Sequence, residues 1–126
     1  MEVHNINEIH PMVFPTGRKT RVMIGSNGLV KGSDFCQGFV EIEPGGSIPE
    51  HNHETVESYT ILKGEGLITL NGEEKEMGSG DYIFIPPYVK HSLVNTGEEV
   101  MNMLFVYSPQ IVVDHWEKEL CRGKDK

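Results

Sequence analysis

The chain has two cysteines, one tryptophan, few basic residues and no long apolar run, and each scarcity removes a class of protein. Cys36 and Cys121 lie far apart with no CxxC-like spacing, which argues against a disulfide framework or a thiolate metal cluster and predicts two reduced thiols. Apolar stretches such as 111–113 are far too short to cross a bilayer, so no membrane association is expected. Lys and Arg total 11 against 19 Asp and Glu, a formal net charge of -8. Such a surface repels phosphate backbones, and no basic stripe with interleaved aromatics overrides it, so nucleic acid is not expected as a partner. The one basic cluster, at 122–126, reads as the solvated end of a helix whose dipole it complements. The first fifteen residues, MEVHNINEIHPMVFP, carry acids and amides where a signal peptide needs a basic start and an apolar stretch. A cytoplasmic protein is the expectation.

What the sequence does have is punctuation. Its 126 residues include 14 Gly and 7 Pro, and between them lie short runs rich in β-branched and aromatic residues, the pattern of an all-β sandwich or barrel. The length predicts one domain, 1–126, with a core barrel over about 35–107. Strands are expected at 35–43, 55–62, 67–70, 73–77, 81–85, 91–95 and 100–107. Asn71-Gly72 predicts a tight hairpin, because a two-residue type I′ turn needs positive φ at both positions. A short C-terminal helix is expected at 114–121, with Asp114 as N-cap and Trp116 and Leu120 as its apolar stripe. The first thirty residues read as irregular structure with one or two edge strands.

The chemistry concentrates in GGSIPEHNHETVESYTILKGEG. His51 and His53 are two apart and project from one face of an extended strand, and Glu57 shares their parity. A fully extended chain would hold His51 and Glu57 roughly 20 Å apart, whereas ligands of one metal ion lie within about 4 to 5 Å of each other. The chain must therefore bend between them, most simply with His53 ending one strand and Glu57 early in the next. His91 follows the Pro86-Pro87 break and starts another strand, from which it can face the same interior.

These residues also resemble the two motifs of the cupin superfamily. In the first, Gly45, His51, His53, Glu57 and Gly64 are separated by five, one, three and six residues. In the second, Gly80, Pro86, His91 and Asn95 are separated by five, four and three. One position departs: Tyr88 stands where the family usually has glycine two residues after the proline, which bears on the local turn but not on His91. The resemblance spans 45–95 and implies a small RmlC-like cupin, a double-stranded β-helix or jelly-roll barrel that commonly pairs as a homodimer. It implies one divalent metal ion on His51, His53, Glu57 and His91. Three imidazoles and a carboxylate suit manganese, iron, cobalt, nickel, copper or zinc without choosing among them. His4, His10 and His115 fall outside any spacing that fits this site.

Strand parity extends the prediction. If Glu57 faces inward, so do Tyr59 and Ile61; if His91 does, so do Leu93 and Asn95. On the last strand Met101, Met103, Phe105 and Tyr107 share one face, and Asn102, Leu104 and Val106 the other, so either set could line the cavity. Tyr59 is the candidate catalytic residue, as a proton donor or ligand-orienting hydroxyl; the alternative is a buried tyrosine tied to a backbone carbonyl. Three functions compete: a metalloenzyme of dioxygenase-like or isomerase-like type acting on a small oxygen-rich molecule, a binding module for a sugar or effector, and a storage barrel without chemistry. The complete ligand set favours the first.

Overall fold

The computed structural model describes residues 1–110 and Glu119. The helix expected at 114–121 lies outside the described residues, Glu119 excepted, as do His115, Cys121 and the basic tail. After a 3-10 turn at Ile6–Glu8 the described residues run through eleven strands: β1 (Met12–Phe14), β2 (Arg18–Gly25), β3 (Val30–Lys31), β4 (Cys36–Ile42), β5 (Ser47–His51), β6 (Val56–Lys63), β7 (Glu65–Leu70), β8 (Glu73–Gly78), β9 (Tyr82–Ile85), β10 (His91–Asn95) and β11 (Met101–Ser108).

The strands form two sheets. One has the order β1-β2-β4-β11-β6-β9, with β3 pairing beside β2; the other has the order β5-β10-β7-β8. Every pairing is antiparallel except β2 with β3. This is the jelly-roll arrangement, and the core lies between the inner faces of the two sheets.

Period-two alternation explains why these segments become strands with this inward face. Along β11, Met101, Met103, Phe105 and Tyr107 are buried, while the residues between them are partly exposed. The Met and Phe set, not the Asn102, Leu104 and Val106 set, therefore faces the interior. Each fully buried apolar side chain contributes about 1.5–3 kcal/mol, so β11, between β4 and β6, is a principal source of core stability. On β6, Glu57, Tyr59 and Ile61 are buried, as are His91, Leu93 and Asn95 on β10. Gly38 on β4 is needed for this packing, because a Cβ there would lie 2.4 Å from the Phe105 ring. The Asn71-Gly72 turn joins β7 to β8 with φ of 50° and 83°, the two positive angles its sequence predicts.

Two expectations need correction. The N-terminal region is more regular than expected: β2 is an eight-residue strand in the interior of its sheet, between β1 and β4. Its pattern hides because Arg18 and Thr20 occupy inward positions that apolar residues would mark. The strand before the metal motif ends at His51, so His53 does not end it but sits in the loop leading to β6. Asn95 pins the opposite edge of the barrel, donating from Nδ2 to the carbonyls of Ile42 and Glu99, each at 2.8 Å.

Candidate metal centre

Four side chains converge between the sheets, from three strands and one loop. His51 closes β5 and lies directly opposite His91, the first residue of β10, with a bulge just after His91. A bulge turns the strand locally and re-aims its side chains. Here the two rings face each other with centroids 4.2 Å apart. Glu57 comes from the other sheet as the second residue of β6, and His53 from the loop between β5 and β6. The four offer one ligand atom each, all within 4.8 Å of one another. That is the spacing of atoms around a single ion.

Backbone carbonyls set the ring orientations. His51 Nδ1 donates to the Pro49 carbonyl at 2.7 Å and His91 Nδ1 to that of Val89 at 2.9 Å. His53 Nδ1 lies 3.2 Å from the Thr55 carbonyl and 2.6 Å from the Thr55 hydroxyl oxygen. A carbonyl oxygen only accepts, so Nδ1 of His51 and of His91 carries a proton and their Nε2 atoms are turned toward the centre, while Thr55 behind His53 leaves its Nε2 facing Glu57. Thr55, fully buried, was not singled out from the sequence. The signal was available, since it sits at the same parity as His53 and Glu57.

The electrostatics follow from burial and crowding. Burial, and then the neighbouring His91, push the His51 pKa down to about 3, so this imidazole is neutral near pH 7. Burial also works against a charged His53, but the hydrogen bond and charge of Glu57 outweigh it and raise the His53 pKa. For Glu57 burial favours the neutral acid, yet His53 and His91 hold its carboxyl below the usual carboxylate range. His53 Nε2 is 3.0 Å from Glu57 Oε1, so without an ion a proton sits between them. His91 Nε2 is 3.3 Å from the same oxygen but, fully buried, has no hydrogen bond of acceptable geometry. A buried nitrogen in that state is costly unless something else takes its lone pair. The residues present thus fit a divalent ion: three convergent imidazoles, a carboxylate held ionised and a buried ring nitrogen without a hydrogen bond.

Tyr88 replaces the glycine of the second motif and adopts the backbone a glycine would favour, with φ of 66°. Its N–H donates to the His53 carbonyl at 2.7 Å. The turn after the prolines therefore fixes the loop that carries His53. Tyr59 is buried, with its ring centroid 5.8 Å from that of His91. Burial and the charge of Glu57 raise its pKa well above the ordinary tyrosine value. A small cavity beside the centre is lined by Glu57, Tyr59, Met103, Phe105, Tyr107 and Arg18. Arg18 and Tyr107 were not singled out as functional from the sequence. Tyr107 was visible only as one of the inward stripe, and nothing local marks Arg18. His4 pairs with Glu2 and Glu8 at the surface, apart from the site.

A jelly-roll barrel with three imidazoles and one carboxylate gathered between its sheets has the architecture of the RmlC-like cupins. The chain belongs to the cupin family: the family model described as cupin domain matches residues 38–107. An uncharacterized protein of Methanocaldococcus jannaschii is 32% identical over 99 residues, covering 78% of each chain. An oxalate-binding protein of Thermotoga maritima is 37% identical over 68 residues, which are 53% of this chain and 56% of that protein. Among solved structures, a predicted oxalate decarboxylase of Thermotoga maritima superposes with a TM-score of 0.77 at 24% identity, covering 86% of this chain and 99% of that one. At that identity the likeness speaks for the fold alone.

Proposed function

We propose that His51, His53, Glu57 and His91 hold one divalent transition-metal ion, and that the barrel is a small metalloenzyme of dioxygenase-like or isomerase-like type acting on a small oxygen-rich acid. The observation that carries this reading is the shared orientation of three imidazoles. Backbone carbonyls hold Nδ1 of His51 and His91 and Thr55 holds Nδ1 of His53, so three Nε2 atoms and Glu57 face one point.

A divalent ion held there supplies a Lewis acid that polarises a carbonyl or carboxylate oxygen. Glu57 offsets one of the ion's two charges, so the site keeps about +1 and favours an anionic ligand. Met103 and Phe105 give the adjoining cavity an apolar wall. Tyr59 takes the catalytic role: its raised pKa keeps the hydroxyl protonated near neutral pH, so it acts as donor and not as base. Metal-reconstituted wild type should turn over a small hydroxy or keto acid, followed by oxygen uptake and product formation. Tyr59→Phe should then lose about 100-fold or more in kcat. Undiminished turnover by folded His51→Ala would sink the reading.

A second reading, a binding module that holds its ligand unchanged, is favoured by the relative described as an oxalate-binding protein. Long incubation with metal-loaded protein separates the two, since a module returns the acid intact and an enzyme does not.

In the same reading the protein is a cytoplasmic homodimer. The free buried thiol of Cys36 supports a reducing compartment, and no helix among the described residues is long and apolar enough to cross a membrane. The dimer is supported by edge strand β9, where Tyr82 and Phe84 are 78% and 62% exposed. Covering an apolar edge of this kind against a second copy removes both solvent-exposed aromatics and an unpaired strand. Light scattering at micromolar concentration should give twice the chain mass, and a monomer would contradict it.

A further inference from the structure

Each imidazole of the metal centre is held from behind, Nδ1 of His51 and His91 by backbone carbonyls and Nδ1 of His53 by Thr55. Glu57 is held in this way by none of the described residues. Its Oε1 faces the histidines, 3.0 Å from His53 Nε2 and 3.3 Å from His91 Nε2. Its Oε2 makes no hydrogen bond among the described residues, although Glu57 is only 6% exposed. Two positions further along β6, Tyr59 repeats the pattern: it is 2% exposed, and its hydroxyl also bonds to no described residue. Buried polar atoms in that state are costly, and carboxylates that ligate metals are as a rule hydrogen-bonded in their turn.

Both residues line one cavity of about 20 Å³ whose wall consists of buried residues throughout. A space of about 10–15 Å³ suffices for a single water molecule, provided that polar partners surround it; a purely apolar void stays dry. Val40, Ile48, Met103 and Phe105 give this wall its apolar part. The polar part falls to Glu57, Tyr59 and Arg18. Glu57 and Tyr59 stand on one face of β6, about 7 Å apart along the strand, and no direct bond joins them. Arg18 gives three N–H groups to Glu119 and Thr20, which leaves further donors on the same fork.

Building on the metal-centre reading, we infer that this cavity binds one water molecule, which accepts from the Tyr59 hydroxyl and from Arg18 and donates to Glu57 Oε2, and that through it Tyr59 is a positioning residue for the ligand carboxylate. The bonding capacities select the occupant. A guanidinium only donates, an ionised carboxylate oxygen only accepts, and the Tyr59 hydroxyl keeps its proton near neutral pH. Water accepts from two donors and donates to the third group, whereas a cation would face Arg18, an anion would face Glu57 and an apolar guest would leave all three unmet. Glu57 then offers Oε1 to the ion with its other oxygen engaged, as the rings offer Nε2 with Nδ1 engaged. In the ligand-free protein this positioning role stands beside the donor role of Tyr59 toward the acid.

The site itself is tested by a high-resolution crystal structure of the metal-free protein. One water should occupy the cavity, within about 2.5–3.0 Å of both Tyr59 Oη and Glu57 Oε2. A dry cavity, or a protein group bonded to either atom in its place, would overturn the inference. The positioning role is read by manganese titration. Tyr59→Phe keeps the ring, removes the hydroxyl and should weaken manganese binding about tenfold. Ile48→Val trims the apolar wall of the same cavity and should leave the affinity unchanged, since it alters packing and no hydrogen bond. Full affinity in Tyr59→Phe, or an equal loss in Ile48→Val, would overturn the role assigned to Tyr59. The crystal readout needs no metal, so a wild type that binds no manganese contradicts the metal-centre reading, while the water site stands or falls on its own density.

Discussion

The two ends of the barrel interior bury comparable polar groups but satisfy them differently. At the Arg18 end the guanidinium, the Glu119 carboxylate and two threonine hydroxyls bond to one another. At the histidine end three rings are tethered from behind, and His91 Nε2 has no hydrogen bond among the described residues. A closed network specifies and rigidifies a structure, whereas convergent groups with unmet bonding capacity mark the place of a ligand. Arg18 and Glu57 line one small cavity, so the closed network and the open one stand side by side in the same interior.

The largest expected effect breaks the closed end. Arg18→Ala leaves Glu119 buried and unpaired and should cost about 3–5 kcal/mol by urea unfolding, whereas the double change Arg18→Met with Glu119→Leu should cost little or stabilise. Similar losses for both would mean that packing, not charge pairing, dominates there. At the histidine end, Thr55→Val removes the hydroxyl behind His53 and should weaken metal binding about 10- to 100-fold by competition titration, with little change in fold.

A smaller effect sharpens the comparison through pH. The native His51 pKa, about 3, lies below its unfolded value. The unfolded chain therefore binds the extra proton between that value and about 6.5, and stability rises with pH across this window. His53 has the opposite shift, so its contribution is present below about 6.5 and lost as pH rises through its native pKa. Metal-free protein should be most stable near neutrality, and metal should remove the alkaline decline by displacing the His53 proton. A stability curve flat from pH 4 to 9 would contradict both shifts. The smallest effect is at Tyr88, where glycine should relieve a left-handed backbone of about 1 kcal/mol, read as a raised Tm.

Much of the histidine end was legible in the sequence, because ligand geometry demands fixed residue types at fixed spacings. Strand parity correctly placed Tyr59 with Glu57, and Leu93 and Asn95 with His91, on inward faces. The position of His53 was not legible as a loop residue, since HxH spacing is equally compatible with a continuing strand, and Pro49 weakened the signal of β5. Nor was the Arg18–Glu119 pair. An inward arginine interrupts the alternation that marks β2, and its partner lies 101 residues along the chain, beyond the reach of any local pattern. Tyr88 shows the reverse: the motif's expectation of glycine was borne out in the backbone, although the residue is tyrosine.

The histidine end is tested most directly by elemental analysis of protein purified without affinity-tag metals or chelators, wild type beside His91→Ala. The convergent Nε2 atoms and Glu57 predict close to one divalent transition-metal ion per wild-type chain, and little or none in the variant. Wild type that carries no metal and takes up none on reloading, or a variant that keeps its full complement, would contradict the assignment of His51, His53, Glu57 and His91.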